Sequence, residues 1–472
     1  VSEEFGGKRI AVIGLAATGL ATARVLRDRG ATVTVCDAKS EDKLDAARVA
    51  EARGLEGVTL ALGAGEPAWA ATDLVIPSPG VPRYAPVLVE AVRRGVPILG
   101  EIEVAYRLAQ APILAITGTN GKTTTTALVG AICREAGLQT WVAGNIAEDA
   151  GKRQPLIQAA VEAPADGVIV AEISSFQLEW VERFRPKAAA WLNLTADHMD
   201  RHASLGEYAL AKSNLLQAQT EDDFAVLNAE DENVVIFAEG IGAGQRRFFG
   251  LGFERGFLSA DADDTAVFLH TGGRETMVIP RAEIRMPGRH NVQNILAAVL
   301  MADALGIDPE TMRRAIGGFA GVAHRMEFVA EIGGVRYINN SMCTNPAALV
   351  ASVGAVDAPF VAIVGGIHKG GDLTEFGAAL AEHARHVVLI GKSAPEIADA
   401  LRRAGDTPHE FADTLPDAVG RAAAAAHPGD TVMLAPGCAS FDMFTGFEQR
   451  GQIFRDAVNA LSTGAGPRSA EA

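Results

Sequence analysis

The chain has 472 residues, a net charge of −16 and 48% apolar residues; at ~100–200 residues per domain it should split into two to four units, and three are expected. The ordinary charged fraction excludes a disordered chain, and the acidic balance excludes bulk nucleic-acid binding, which needs clustered Lys and Arg, although a local basic pocket for phosphates stays open. With no apolar run of ~18 residues and no basic-then-apolar leader, neither a membrane span nor a signal peptide is expected, and a cytoplasmic location is.

The four cysteines, Cys36, Cys133, Cys343 and Cys438, form no C-x-x-C pair and read as buried free thiols. Residues 9–15 make an apolar strand, Ala16-Ala17-Thr18-Gly19 opens a helix to about residue 30, and residues 31–37 make a second strand ending in Asp37. This β-α-β order, with Gly14 and Gly19 at the turn, is that of a dinucleotide-type fold with its helix N-terminus open to a pyrophosphate. Ala16 stands where G-x-G-x-x-G needs its second glycine, so tight NAD binding is not expected. Residues 74–80 end a further strand in Ser78-Pro79-Gly80, a turn able to hold a uridine or a phosphate and equally readable as plain structure. A helix over 101–110 closes the unit.

The second unit opens on the apolar run 112–115, which feeds Ile116-Thr117-Gly118-Thr119-Asn120-Gly121-Lys122-Thr123-Thr124. An apolar strand, a Gly-rich turn and Gly-Lys-Thr at a helix start make a cradle for a nucleoside triphosphate. Gly118 and Gly121 let the turn aim backbone N–H groups at phosphate oxygens, Lys122 adds a mobile cation, and the Thr123 hydroxyl suits the accompanying Mg²⁺. ATP use is therefore predicted. The turn is shorter than the general G-x-x-x-x-G-K-[ST] form, with Ile116 in place of the first glycine, a form found in a set of ATP-dependent ligases.

Strands predicted over 140–144, 168–173, 188–194 and 224–227, with helices between most of them, imply a mostly parallel sheet. A β-rich stretch over 246–285 precedes a helix over 289–306 that bears Asn291 and Asn294, then a second over 309–319. A hinge is expected over 317–323. The third unit opens with a hairpin, 327–332 and 335–339 around Gly333-Gly334, and alternates strands (360–364, 387–390, 431–434) with Ala-rich helices. The expected fold is thus α/β in three domains, 1–110, 111–321 and 322–472: a Rossmann-like domain, a P-loop ATPase-type domain and a second Rossmann-like domain.

The turn GTNGKTTTT, residues 171–179 (AEISSFQLE), residues 192–202 (LNLTADHMDRH) and Ala211-Lys212-Ser213 together resemble the Mur ligases. Within that family, SSFQLE, residues 438–442 (CASFD) and residues 446–451 (GFEQRG) resemble the members that add D-glutamate to UDP-N-acetylmuramoyl-L-alanine in peptidoglycan synthesis, and the likeness spans essentially the whole chain. The resemblance implies a ligation in two steps: the substrate carboxylate attacks the γ-phosphate of ATP, and an amine attacks the resulting acyl phosphate. Positive charge and positioning must supply the catalysis.

It also implies roles for individual residues. Gly118, Thr119, Asn120, Gly121, Lys122, Thr123 and Thr124 would cradle ATP, with Asn291 and Asn294 at the adenine, Arg325 reaching the phosphates from the third domain and Asn340 at the ribose. Thr123 and Glu172 would hold one Mg²⁺, and His198 with a carbamylated Lys212 a second. Asn145 would lie near the reacting carboxylate. Thr18, Asp37, Ser78, Pro79, Gly80, Ser174 and Gln177 would bind the UDP-sugar, and Thr344, Lys369, Ser440, Phe441 and Phe447 the glutamate. Closure of the third domain would then exclude water from the acyl phosphate. A monomer is expected.

The sequence departs from the family in two segments. The family's Asn-Asp-Ser-Lys-Ala-Thr-Asn is here Asn339-Asn340-Ser341-Met342-Cys343-Thr344-Asn345, which removes one carboxylate and one cation, and Ile367-His368 stands where many relatives carry an acid. The rival readings are an L-glutamate-adding variant, a folylpolyglutamate synthase, an amidating relative and a non-catalytic nucleotide sensor. Folate relatives lack the first unit, amidating ones carry a cysteine ribbon, and a sensor has no need of Lys122, Thr123, Glu172, His198 and Lys212 together.

Overall fold

Val- and Ile-rich runs with no polar alternation are the mark of parallel strands covered on both faces, and the described residues form three sheets with parallel strands at their centres. The computed structural model describes residues 3–462 except 64, 147–153, 200, 252–257, 287, 354–355, 357–358, 369, 371 and 406. They form two compact units that divide after Phe319.

The first unit begins with β1 (Arg9–Ile13), α1 (Ala17–Arg27), β2 (Thr32–Asp37), α2 (Ala46–Gly54), β3 (Val58–Leu62), β4 (Leu74–Pro77), α3 (Pro86–Arg94) and α4 (Glu101–Leu108). Its strands are parallel in the order β3-β2-β1-β4. The chain reverses direction across β1, which opens a crevice at the carboxyl ends of β1, β2 and β4.

A second sheet follows in the same unit, with β5 (Ile113–Thr117), α5 (Lys122–Glu135), β6 (Thr140–Gly144), α6 (Leu156–Glu162), β7 (Val168–Glu172), β8 (Ala188–Trp191), α7 (Leu205–Ser213), β9 (Phe224–Asn228), α8 (Glu232–Ala238), β10 (Gln245–Gly250), β11 (Ala260–Ala262), β12 (Ala266–Thr271), β13 (Arg274–Pro280), α9 (Arg289–Asp303) and α10 (Pro309–Gly318). The order is β13-β12-β11-β10-β9-β8-β5-β7-β6. Pairing is parallel from β6 through β11, and β12 and β13 add an antiparallel edge.

One apolar core runs through both sheets, from Ile10 and Val33 to Ile113, Trp191 and Leu227. Helix α4 joins them by buried carboxylates as well. Glu103 Oε2 accepts the N–H groups of Glu182, Arg183 and Phe184 at 2.9, 2.9 and 2.8 Å, while Arg107 Nε donates to its Oε1 at 2.7 Å.

Glu101, in the first turn of α4, accepts the Ile157 N–H at the start of α6 at 2.7 Å through Oε1, and its buried Oε2 has no hydrogen-bond partner. Burial pushes this carboxyl up to about 7, against the opposing pull of the Ile157 and Leu156 N–H groups. The folded protein therefore keeps a proton that the unfolded chain releases near ~4.3. The associated stability is complete below that value and is lost as pH rises through the folded value. Glu101→Gln should match the parent near pH ~4.5 and exceed it by up to about 3 kcal/mol above neutrality. Urea melts at both pH values test this, and equal stability at high pH would show a solvated carboxylate.

The second unit holds β14 (Glu327–Ile332), β15 (Val335–Asn339), α11 (Pro346–Val353), β16 (Phe360–Gly365), α12 (Thr374–His383), β17 (Ala384–Ile390), α13 (Ala394–Ala404), β18 (His409–Phe411), α14 (Leu415–Ala425), β19 (Thr431–Leu434) and α15 (Phe447–Ser462). Its sheet runs β14-β15-β19-β16-β17-β18, with only the β14–β15 hairpin antiparallel. Among the described residues no helix is long and apolar enough to cross a membrane.

Candidate functional site

The phosphate turn sits where β5, buried along its length, meets α5. Gly118 and Gly121 hold φ values of +153° and +82°, the region that favours glycine. A Cβ on Gly121 would lie 2.3 Å from Asn294 Oδ1, so the glycine also lets Asn294 of α9 press on the turn, and Asn294 Nδ2 donates to Asn291 Oδ1 at 3.2 Å. The turn spends part of its own polarity internally: Thr119 N donates to Asn193 O at 3.1 Å and Asn120 N to Asn193 Oδ1 at 2.8 Å. The first turn of α5 has no side-chain cap, and a helix N-terminus of this kind is where backbone N–H groups face an anion. Lys122 lies back over the turn, its Nζ donating to the carbonyls of Gly118 and Thr119 at 2.9 and 2.8 Å.

Glu172, at the carboxyl end of β7, is buried beside this turn. Thr123 Oγ1 donates to its Oε2 at 2.7 Å and Asn145 Nδ2 to its Oε1 at 2.8 Å. Three of the sequence-predicted residues are thus one hydrogen-bonded set. Among the described residues no group of three or more His, Cys, Asp or Glu side chains is gathered for a metal.

Lys212 of α7 is buried, with Nζ donating to Gly118 O at 2.9 Å and Thr117 Oγ1 at 3.3 Å and lying 4.6 Å from the centre of the Tyr208 ring. Burial, reinforced by the Lys122 charge, pulls its ammonium well below the usual lysine range. Both lysines therefore converge on one carbonyl. His198 is half exposed, adopts a φ of +55° and packs edge-on to Phe176 at 4.9 Å. The residue that sequence reasoning missed here is His202. It is buried, its Nε2 lies 3.0 Å from Ser175 Oγ, and its ring stacks on Phe176. Its signal was present in the shared motif, but the local sequence gave no reason to prefer it to His198.

At the crevice of the first sheet, Asp37 accepts the Leu15 and Lys39 N–H groups, each at 2.9 Å, and Ser78 Oγ donates to Gly14 O at 3.1 Å. Thr18 lies in the first turn of α1. Ser174 N and Oγ both donate to Gln177 Oε1, at 2.9 and 3.0 Å.

In the second unit Asn340 is buried, its Oδ1 accepting the Met326 N–H at 3.2 Å and its Nδ2 donating to Ser352 Oγ at 2.7 Å. Both ends of the amide are thus engaged within the fold. Arg325 is exposed beside His324, whose φ is +63°. Arg450 is buried and bonds hydroxyl and carbonyl oxygens: Nε donates to Ser341 Oγ, Nη2 to Ser341 O and Nη1 to Cys438 O, at 3.0, 2.8 and 3.1 Å. It ties the loop bearing Met342 and Thr344 to the loop bearing Ser440. Phe447 O accepts the Ser341 hydroxyl at 2.7 Å, while Phe441 is 69% exposed and free to cover a ligand. Lys369 lies outside the described residues.

Comparison with known proteins agrees across the chain. Residues 8–100 match the family described as Mur ligase MurD-like, N-terminal domain, residues 116–302 the Mur ligase middle domain, and residues 324–438 the Mur ligase, glutamate ligase domain. The chain is 42% identical over 475 residues to the UDP-N-acetylmuramoylalanine--D-glutamate ligase of Pelotomaculum thermopropionicum, covering 98% of this chain and 100% of that one. It is 41% identical over 466 residues to the ligase of the same name from Geobacter metallireducens, with coverage of 98% and 100%. Among solved structures, a pseudomurein peptide ligase type C from Methanothermus fervidus shares the fold at a TM-score of 0.53 and 20% identity, over 96% of this chain and 100% of that one. The UDP-N-acetylmuramate-alanine ligase of Thermotoga maritima does so at 0.52 and 21%, over 96% and 99%. The chain belongs to the Mur ligase family.

Proposed function

We propose that this enzyme uses ATP to join D-glutamate to UDP-N-acetylmuramoyl-L-alanine in peptidoglycan precursor synthesis. The observation that carries the reading is the likeness over nearly the full chain, 42% identity, to a ligase of that name. A cytoplasmic location suits the four free, buried thiols.

In this reading the alanyl carboxylate, steered by Asn145, attacks the γ-phosphorus; the bond to the β-phosphate oxygen breaks and ADP leaves. The glutamate amine then attacks the acyl carbon, loses a proton and expels phosphate. Lys122, turned away from the carbonyls of Gly118 and Thr119, would face the transferred phosphate together with the first-turn amides of α5. Glu172 and the Thr123 hydroxyl offer adjoining hard oxygens, which suits Mg²⁺, an ion that takes one or two carboxylates and completes its shell with phosphate and water. When bound, that ion neutralises phosphate charge. A second ion would be held by His198 and by Lys212 as its carbamate; in support, Lys212 bonds a carbonyl and a hydroxyl rather than a carboxylate.

Asn291 and Asn294 would meet adenine, Asn340 the ribose and Arg325 the phosphates. Thr18, Asp37 and residues 78–80 would hold the uridine diphosphate, with Ser174 and Gln177 toward the sugar. Thr344, Lys369, Ser440, Phe441 and Phe447 would take glutamate.

Mass spectrometry of the product, with UDP-N-acetylmuramoyl-L-alanine, Mg-ATP and each glutamate enantiomer in turn, tests the reading. One glutamate should be added from the D form, with one ADP and one phosphate released. Product from L-glutamate alone would overturn the stereochemistry, and ATP hydrolysis indifferent to the UDP-sugar would overturn the ligase.

A further inference from the structure

Arg201 meets three parts of the first unit at once. Its Nη2 and Nε donate to the two carboxylate oxygens of Glu179 at 2.9 and 3.3 Å. The same group donates to the Val81 carbonyl at 3.0 Å and the Pro79 carbonyl at 3.3 Å, and lies 4.4 Å from the centre of the Phe176 ring. The Arg201 and Glu179 side chains are 12% and 5% exposed. Pro79 and Val81 flank Gly80 in the turn after β4, whose Ser78 hydroxyl is bonded to Gly14 O. Phe176 follows Ser174 and Ser175 and carries His198 on its edge. One planar fork therefore ties the turn at the first-sheet crevice to the segment leaving β7 and to the loop of His198. A guanidinium held by a carboxylate and two carbonyls has a fixed orientation that an ammonium cannot reproduce.

We propose that Arg201 is a positioning residue that sets the distance between the Ser78–Val81 turn and the Glu172–His198 end of the second sheet, and so the placement of a UDP-sugar bound across both. This rests on the reading of that turn as the seat of the UDP-sugar. A substrate gripped at one end and reacting at the other is sensitive to slack between the two, since misplacement by ~1 Å costs about 100-fold in rate. In that reading the nucleoside triphosphate and the amino acid take no residue of the Ser78–Val81 turn, so their binding would be far less sensitive to it.

The test uses the full chain with Arg201→Met, Arg201→Lys and Glu179→Gln, measuring KM for each of the three substrates, kcat, melting temperature, and binding of the UDP-sugar alone by titration calorimetry. Arg201→Met should raise the UDP-sugar KM and lower kcat by about tenfold or more each, with the KM values for ATP and glutamate within about twofold of the parent. Arg201→Lys should recover part of the loss, and the Arg201→Met/Glu179→Gln pair should be no worse than Arg201→Met alone. Glu179→Gln keeps the packing and reads the same split if the methionine variant fails to fold. A folded Arg201→Met with the parent's UDP-sugar KM overturns the proposal. So does an equal rise in all three KM values with a lowered melting temperature, the mark of a merely structural clasp. A parent enzyme that binds no UDP-sugar overturns the functional reading as well, which separates the two failures.

Discussion

Lys122→Ala should lose ligation by about 10³-fold or more, the range seen when a cation at a transferring phosphoryl group is removed, while its melting temperature stays within about 2 °C of the parent. The two halves have separate causes. The lysine's bonds to the Gly118 and Thr119 carbonyls are made by a partly exposed ammonium that water solvates once it is released, so their net worth is small. Alanine at the first position of α5 is a better helix former than lysine. In the proposed role nothing would replace the charge, because backbone amides fixed in the first turn of α5 cannot follow a phosphoryl group during transfer. ADP release under saturating substrates is the measurement. A folded variant working above about one-tenth of the parent rate would remove Lys122 from the phosphoryl step.

Lys212→Ala should lose about 10²-fold or more and recover part of it in formate or acetate. Truncation empties the space between Tyr208 and the Gly118 carbonyl, and a short carboxylate entering there can present the oxygens that a carbamate would present. The identity of the rescuing molecule discriminates. If Lys212 acted as an amine, methylamine would rescue and carboxylates would not. Wild-type activity that falls in CO₂-free buffer and returns with bicarbonate is the matching result on the unaltered chain.

Chemistry that depends on neighbours in sequence was legible without coordinates. Gly118, Gly121, Lys122 and Thr123 lie within six residues, and the Gly-rich turn between a strand and a helix falls where they predict it. Strands β6, β14, β15 and β19 fall on the residues expected, because each is an apolar or alternating run bounded by turn residues. What escaped was chemistry set by distant partners. Nothing near Asn193 says that it will occupy the Thr119 and Asn120 amides, and nothing near Asn340 says that Met326 and Ser352 will engage its amide. Arg201 reads as one more charged residue in a family motif, and its carbonyl partners lie 122 and 120 positions earlier in the chain. The antiparallel pairing of β12 and β13 was hidden for a related reason: residues 246–285 are visibly β-rich, but strand direction is fixed by the partner, not by composition.

The core common to both sheets of the first unit has a consequence for biosynthesis. A ribosome emits the chain N-terminus first at ~5–20 residues per second, so roughly 10–40 s separate the appearance of Val33 from that of Leu227, a member of the same core. During that interval the nascent β1-β2-β3 segment has strands and helices of its own but part of its covering is still inside the ribosome. Helix α4 likewise emerges with Glu103 before the N–H groups of residues 182–184 exist to receive it. The early chain thus carries apolar surface that its later residues cover, and slow translation just before residue 182 would lengthen the exposure of that surface.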